Sequence, residues 1–240
     1  VRRAPRGAGG RRVSARLGEV AWPQVATDRR RPLLAVPVGS CEQHGPHLPL
    51  DTDTRIAVAL AHGLVQSFDP GEIMVTPPIT ISASGEHAGF PGTLSFGTEV
   101  VELMLLELVR SADWSSGVVL VNGHGGNADA VRRAVARASA EGRRVLAWFP
   151  HVAGGDAHAG ETETSLMLAV APELVQLERA EAGRLEHVTD LLDEMRAGGI
   201  RAVSRNGVLG DPRRATTRAG RTLLTRLTID LVDAVDEWWT

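Results

Sequence analysis

Four short apolar runs constrain this chain more than any other feature. They are Leu33–Val38 (LLAVPV), residues 73–82 (IMVTPPITIS), residues 117–121 (GVVLV) and residues 145–149 (VLAWF). Each is rich in Val, Ile or Leu and too short for a core helix, so each reads as a buried strand. Between them lie stretches with apolar residues at helical spacing, over residues 54–67, 98–111 and 127–141. Such alternation implies an α/β fold: one domain with a mostly parallel sheet flanked by helices on both faces. The pair Pro77 and Pro78 inside the second run argues for an edge strand or a break there. Further helices are expected over residues 162–170, 185–197 and 214–238, with a turn at 207–212 and a short helical or irregular entry over 14–27. No internal repeat or linker divides the chain, so residues 14–240 are expected to form a single unit. The Arg/Gly-rich residues 1–13 are expected to be a flexible tail.

In an open parallel sheet, ligands bind outside the carboxyl ends of the strands. All four runs are followed by polar or Gly-rich segments, which this topology carries to one edge. Composition narrows the partners. The formal net charge of -3 gives no reason to expect nucleic acid or an anionic membrane. No apolar run approaches the roughly 20 residues that span a bilayer. Cys41 is the sole cysteine, which excludes an internal disulfide and favours the cytoplasm. The leading VRRAPRGAGGRR lacks the apolar stretch of a secretory signal. As an arm for an anionic partner it would bind in a salt-sensitive way.

Four segments carry chemistry. Glu42 and His44 stand two residues apart just after a strand, and Asp53 lies nine residues beyond His44 at a helix start. Carboxylate and imidazole donors of this kind suit Zn²⁺, Mn²⁺ or Fe²⁺. The same residues would also serve as solvated loop positions, with Thr52, Asp53 or Thr54 capping the helix. The second segment, Asn122 to Asn127 (NGHGGN), surrounds His124 with glycine and asparagine at a strand end. It lacks the G-x-G-x-x-G spacing of a dinucleotide site. The third, GGDAHAGETETS, holds Asp156, His158, Glu161 and Glu163. On a helix Glu161 and Glu163 lie about 200° apart, so one faces the site and the other does not. The fourth, SGEHAGFPGT, places Ser84, Glu86 and His87 in a loop that either contacts substrate or packs as a turn. A serine hydrolase is disfavoured because no G-x-S-x-G elbow occurs. Nothing near Cys41 would activate it as a nucleophile.

Taken together, VPVGSCEQHGPHLPLDTDTRIA, SGEHAGFPGT, NGHGGN and DAHAGETETS resemble the creatininase (creatinine amidohydrolase) family, in the family's order and across residues 36–165. The resemblance implies an α/β fold, a homo-oligomer and one or two divalent metals that serve amide hydrolysis. It implies Glu42, His44, Asp53 and His124 as metal ligands, with Asp53 as the bridge between two ions. It also places His158 near the substrate, as a donor to the leaving amine. Creatinine hydrolases resemble NGHYEN at the second motif and ligate metal with its glutamate, where this chain has Gly126. Another carboxylate is therefore needed as ligand and proton shuttle, with Glu163 the first choice and Glu161 the second. The same departure turns the expected substrate from creatinine toward a peptide. Within the family, GGDAHAGETETS and NGVLGDPRRAT resemble members that release a C-terminal Val-Tyr dipeptide from a radical-modified precursor peptide. Ser84, Glu86 and His87 would lie near that substrate, and Arg201 or Arg205 would meet a peptide carboxylate. The alternatives are a small-molecule amidohydrolase or deformylase of the family, and a non-catalytic metal-binding scaffold subunit.

Overall fold

The computed structural model describes residues 15–26 and 31–239. The expected flexible tail at 1–13 lies outside the described residues. Four strands, β1 (Leu33–Val38), β2 (Ile73–Val75), β3 (Gly117–Asn122) and β4 (Val145–Trp148), form one sheet in the order β2-β1-β3-β4. Every pairing is parallel, and β1 and β3 run side by side from Leu33 opposite Gly117 to Val38 opposite Asn122.

Each central strand is buried along its whole length, which is why it reads as an unbroken apolar run. Alternate side chains serve opposite layers. Leu33, Ala35, Val119 and Val121 pack with α2 (Thr52–Gln66), α5 (Glu161–Val170) and α8 (Thr217–Trp239) through Leu60, Met167 and Leu231. Leu34, Val36, Val118 and Leu120 pack with α3 (Thr98–Ser111) and α4 (Ala128–Ala140) through Leu105, Leu106 and Val131. A five-residue helix, α1 (Trp22–Ala26), precedes β1. The sheet is thus covered on both faces, as the sequence pattern requires.

Two elements differ from expectation. The strand expected over 73–82 stops at Val75, and the chain continues past Pro77 and Pro78 with isolated bridges from Ile79 to Val38 and from Ser82 to Ser95. The prolines cannot donate to a ladder, so the edge strand ends and resumes as isolated pairs. The helix expected from 185 begins at 188, as α6 (Val188–Gly198), and a second short helix, α7 (Ile200–Val203), follows it. With Leu209, these two helices form a small apolar cluster of their own through Leu191, Ile200 and Val203. Among the described residues, no helix is long and apolar enough to cross a membrane.

Candidate metal centre

Glu42 and His44 follow β1, while Asp53 opens α2, and two glycines bring these segments together. A Cβ on Gly39 would stand 2.4 Å from the Cα of Thr54, and one on Gly123 would stand 2.6 Å from the carbonyl oxygen of Asp53. The first turn of α2 therefore wedges against the ends of β1 and β3, where only glycine leaves room. Asp53 does not cap the helix. Asp51 holds the capping position without a side-chain hydrogen bond, and Asp53 faces the strand ends from inside the first turn.

The Asp53 carboxylate stands between two imidazoles. Its Oδ1 lies 3.0 Å from His44 Nε2 and its Oδ2 lies 3.1 Å from His124 Nδ1. Ser40 Oγ donates to the same Oδ2 at 2.8 Å. Glu42 is fully buried, with Oε2 3.1 Å from His124 Nε2 and Oε1 3.3 Å from His87 Nε2. Neither oxygen receives an aligned hydrogen bond. His124 Nε2 instead meets the carbonyl oxygen of Ala83 at 2.9 Å. Glu163 approaches from α5, its Oε2 3.8 Å from His44 Nε2 and accepting from Ala159 N at 2.6 Å. Glu161 is exposed at the start of the same helix, so the two glutamates separate as their spacing requires.

Charge shifts follow this crowding. Burial opposes charge on His44, but Asp53, Glu163 and Glu42 outweigh it and lift the ring to about 10. Burial likewise opposes charge on His124, and Glu42 and Asp53 raise it well above the usual range. Asp53 is held well below the carboxylate range, since His44 and His124 overcome its burial. Burial lifts Glu163 to about 7 against the pull of His44, with Asp53 adding repulsion. Burial lowers His87 to about 4 and holds His158 well below the usual imidazole range, and both rings stay neutral.

Hydrogen bonds fix how those neutral rings stand. Gly45 N donates to Gln43 Oε1 at 2.9 Å, so the Gln43 amide nitrogen turns to His87 Nδ1 at 2.8 Å and to the Gly207 carbonyl at 3.1 Å. His87 therefore carries its proton on Nε2, toward Glu42. His158 Nε2 lies 2.9 Å from the Gln43 carbonyl oxygen and donates to it. Its Nδ1, 3.9 Å from Glu42 Oε1, is left as a lone pair. His158 thus lies within the site as expected from its motif, with Nε2 also 3.1 Å from the Gln43 amide nitrogen. Gln43 was not expected at the site, since only its place between Glu42 and His44 hinted at a role.

Asn122 and Asn127, which bound the His124 motif, stitch the site. Asn127 accepts from Ala83 N at 3.1 Å and donates to Gly39 O and Asn122 Oδ1 at 3.1 and 3.2 Å. His47, also buried, bonds Thr164 Oγ1 at 2.8 Å and ties the first motif to α5. Ser84 is buried and His87 nearly so, whereas Glu86 is partly exposed.

The donors suit a divalent cation. Donor atoms about 2.1 Å from a common ion stand roughly 3–4 Å apart, which matches the separations above. Three compact donor groups occur among the described residues: Glu42, His44 and Asp53; His44, His158 and Glu163; and Glu42, His87 and His158. His124 belongs to none of these three but contacts both Glu42 and Asp53. The buried oxygens of Glu42 have no hydrogen-bond partner, and a cation would satisfy them. Above the group lies a cavity of about 510 Å³, floored by Asp53, Glu86, His124 and Glu163 and walled by Leu192 and Met195.

The family model for creatinine amidohydrolase matches residues 18–235. The chain belongs to the creatininase family of metal-dependent amide-bond hydrolases. It is 47% identical over 212 residues to the mycofactocin precursor peptide peptidase of Mycolicibacterium smegmatis, covering 86% of this chain and 85% of that protein. It is 46% identical over 235 residues to the protein of the same name from Mycobacterium tuberculosis, covering 94% and 92%. The creatinine amidohydrolase of Pseudomonas putida is more distant, at 29% identity over 203 residues, 68% of this chain and 74% of that one. Among solved structures, a manganese creatininase superposes with a TM-score of 0.78 at 22% identity, over 95% of this chain and 99% of that one. A creatininase variant of Zn-Zn type aligns to the same degree.

Proposed function

We propose that this chain is a metal-dependent peptidase that releases the C-terminal Val-Tyr dipeptide of mycofactocin precursor peptide. One observation carries the hydrolase reading: Asp53 sets its two oxygens against two different imidazoles, with Glu42 beside His124 and Glu163 beside His44, at the edge of an open cavity. The peptide reading is supported by the relatives' name and by the extent of their identity.

In this reading Glu42, His44, Asp53, His124 and Glu163 would hold one or two ions of Zn²⁺, Mn²⁺ or Fe²⁺. When bound, such ions polarise a carbonyl and acidify a water. His87, with its proton on Nε2, stands 3.3 Å from Glu42 Oε1 and is placed beside that carboxylate without an aligned hydrogen bond to it. His158 offers a lone pair toward the same carboxylate. The apolar wall of Leu192, Met195 and Ile200 receives the side chains of the substrate's end, and Arg196 on the same wall meets its carboxylate. Arg201, considered for that task from sequence, donates to Gly89 O at 2.6 Å and stacks over Phe90. Cytoplasmic placement rests on the lone Cys41. A homo-oligomer is part of the proposal because Leu94, Phe96, Val100 and Leu103 are each about half exposed within ten residues of chain. Light scattering on the purified protein tests it.

The test of function is direct. Protein stripped by a chelator and reloaded with Zn²⁺, Mn²⁺ or Fe²⁺ is offered modified precursor peptide, creatinine and a formamidopyrimidine. Metal-dependent release of Val-Tyr is expected. Turnover of either small amide with the peptide left intact would move the protein to its small-molecule relatives. Absence of turnover despite bound metal would make it a scaffold subunit.

A further inference from the structure

Gly126 and Glu86 share one space. A Cβ on Gly126 would stand 2.1 Å from Glu86 Oε1, 2.4 Å from His124 Nε2 and 2.6 Å from Ala83 O. Nothing larger than hydrogen fits at residue 126 among the Glu86 carboxylate, the His124 ring and the Ala83 carbonyl. That carboxylate comes from the short turn Gly85–His87 and lies 3.5 Å from His124 Nε2. The turn is pinned from outside by the junction of α6 and α7. Gly199 has φ 70°, and a Cβ on it would stand 2.6 Å from Glu86 O.

Glu86 also differs from the other carboxylates. Glu42 and Asp53 are fully buried, while the Glu86 side chain is 31% exposed and opens onto the cavity. Glu163 borders the cavity too, but it accepts the Ala159 N–H and belongs to a compact donor group with His44 and His158. Glu86 belongs to none of the three groups. It is the carboxylate that reaches an imidazole of the centre and faces substrate without being held as a donor.

We propose that Glu86 is the proton-carrying catalytic residue of the hydrolysis, and that Gly126 keeps open the space that seats it. The proposal rests on the hydrolase reading above. As the water oxygen bonds to the scissile carbonyl carbon, one of its protons passes to Glu86. The C–N bond then breaks with its electron pair on nitrogen, and Glu86 returns the proton to that nitrogen. The second hydrogen of the water leaves with the acid product, and Glu86 ends as it began. Glu86 thereby takes the shuttle role that sequence assigned to Glu163 or Glu161.

The test uses E86Q, G126A and the double variant in the full-length chain. Zn²⁺ and Mn²⁺ affinity is measured by calorimetry on stripped protein, and kcat and KM on whichever amide the wild type cleaves. E86Q is expected to keep its metal affinity within about threefold while kcat falls about 10²–10⁴-fold, the usual worth of a positioned acid–base group. G126A should lose kcat to at least a similar extent, because its methyl meets the Glu86 carboxylate and also His124 Nε2 and Ala83 O. The double variant should be no worse than the poorer single, since both remove one element. A tenfold loss of affinity in E86Q would make Glu86 a ligand and overturn the proposal, as would an unchanged kcat. Losses that multiply in the double variant would break the link to Gly126. The hydrolase reading is judged separately, on the wild type. A loaded wild type that cleaves no amide fails that reading and the proposal with it, whereas a cleaving wild type with a fully active E86Q fails the proposal alone.

Discussion

Asp53 shows how one residue can be misread from its neighbours. An acid at a helix start is ordinarily a cap or a partner for the helix dipole, and sequence alone left that role open. The close approaches at Gly39 and Gly123 turn it instead toward His44 and His124. His44→Ala and Asp53→Ala should therefore retain a folded circular-dichroism spectrum and lose bound metal on elemental analysis. Unchanged metal content would remove both from the ligand set. Arg196 carries a separate expectation. If it meets the peptide carboxylate, Arg196→Ala loses a charged hydrogen bond of about 1.5–3 kcal/mol, raising KM roughly 10–100-fold with kcat unchanged. A fall in kcat at constant KM would instead place Arg196 outside substrate binding. Glu42, His44 and His124 were legible as neighbours because carboxylate and imidazole groups follow strand ends, and Asp53 because it opens the helix after the first of them. Gln43 and Asn127 were not, because an amide has no such signature and their partners lie up to 164 residues away, as for Gln43 and Gly207.

At the level of elements, the sheet and most helices were legible because buried parallel strands leave unbroken apolar runs and amphipathic helices repeat them at helical spacing. α3 begins and ends where its pattern does. The second strand was overextended because β-branched residues after Pro78 look like a strand, while the missing proline N–H groups are what end the ladder. α7 escaped notice because four residues are too few to show a period. The site depends on how α2 meets β3, and this gives a sharp comparison. Gly123→Ala places a methyl 2.6 Å from Asp53 O and 3.2 Å from Ala57 Cβ, whereas Gly125→Ala meets nothing within 4 Å. The first should cost about 1–3 kcal/mol, as overpacking does, and should weaken metal binding by shifting Asp53. The second should leave the denaturant midpoint close to wild type. Equal midpoints for the two variants would show that α2 is free to retreat without loss.

Across the whole molecule, the centre joins stability to metal and to pH. Segments from β1, α2, β3, α5 and the Gly85–His87 turn meet there, and in the metal-free protein their carboxylates are balanced by protons on imidazoles. His44 is raised from 6.5 to about 10. For a raised group the stabilisation is complete below the unfolded value of 6.5 and is lost as pH climbs through 10. A bound ion needs the lone pairs those protons occupy, so metal and proton compete across that window. Two consequences follow with a definite sign. Calorimetry at pH 7 in buffers of different ionisation enthalpy should show proton release on binding Zn²⁺. The gain in melting temperature from a fixed excess of metal, which scales with RT ln(1 + [L]/Kd), should grow as pH rises from about 6.5 toward 9. The metal-free protein should lose stability over the same range, because the unfolded chain gives up imidazole protons that the folded centre still holds. A metal-induced shift that is flat in pH would mean that His44 and His124 are already deprotonated without metal. The electrostatic picture of the centre, though not its geometry, would then need to be redrawn.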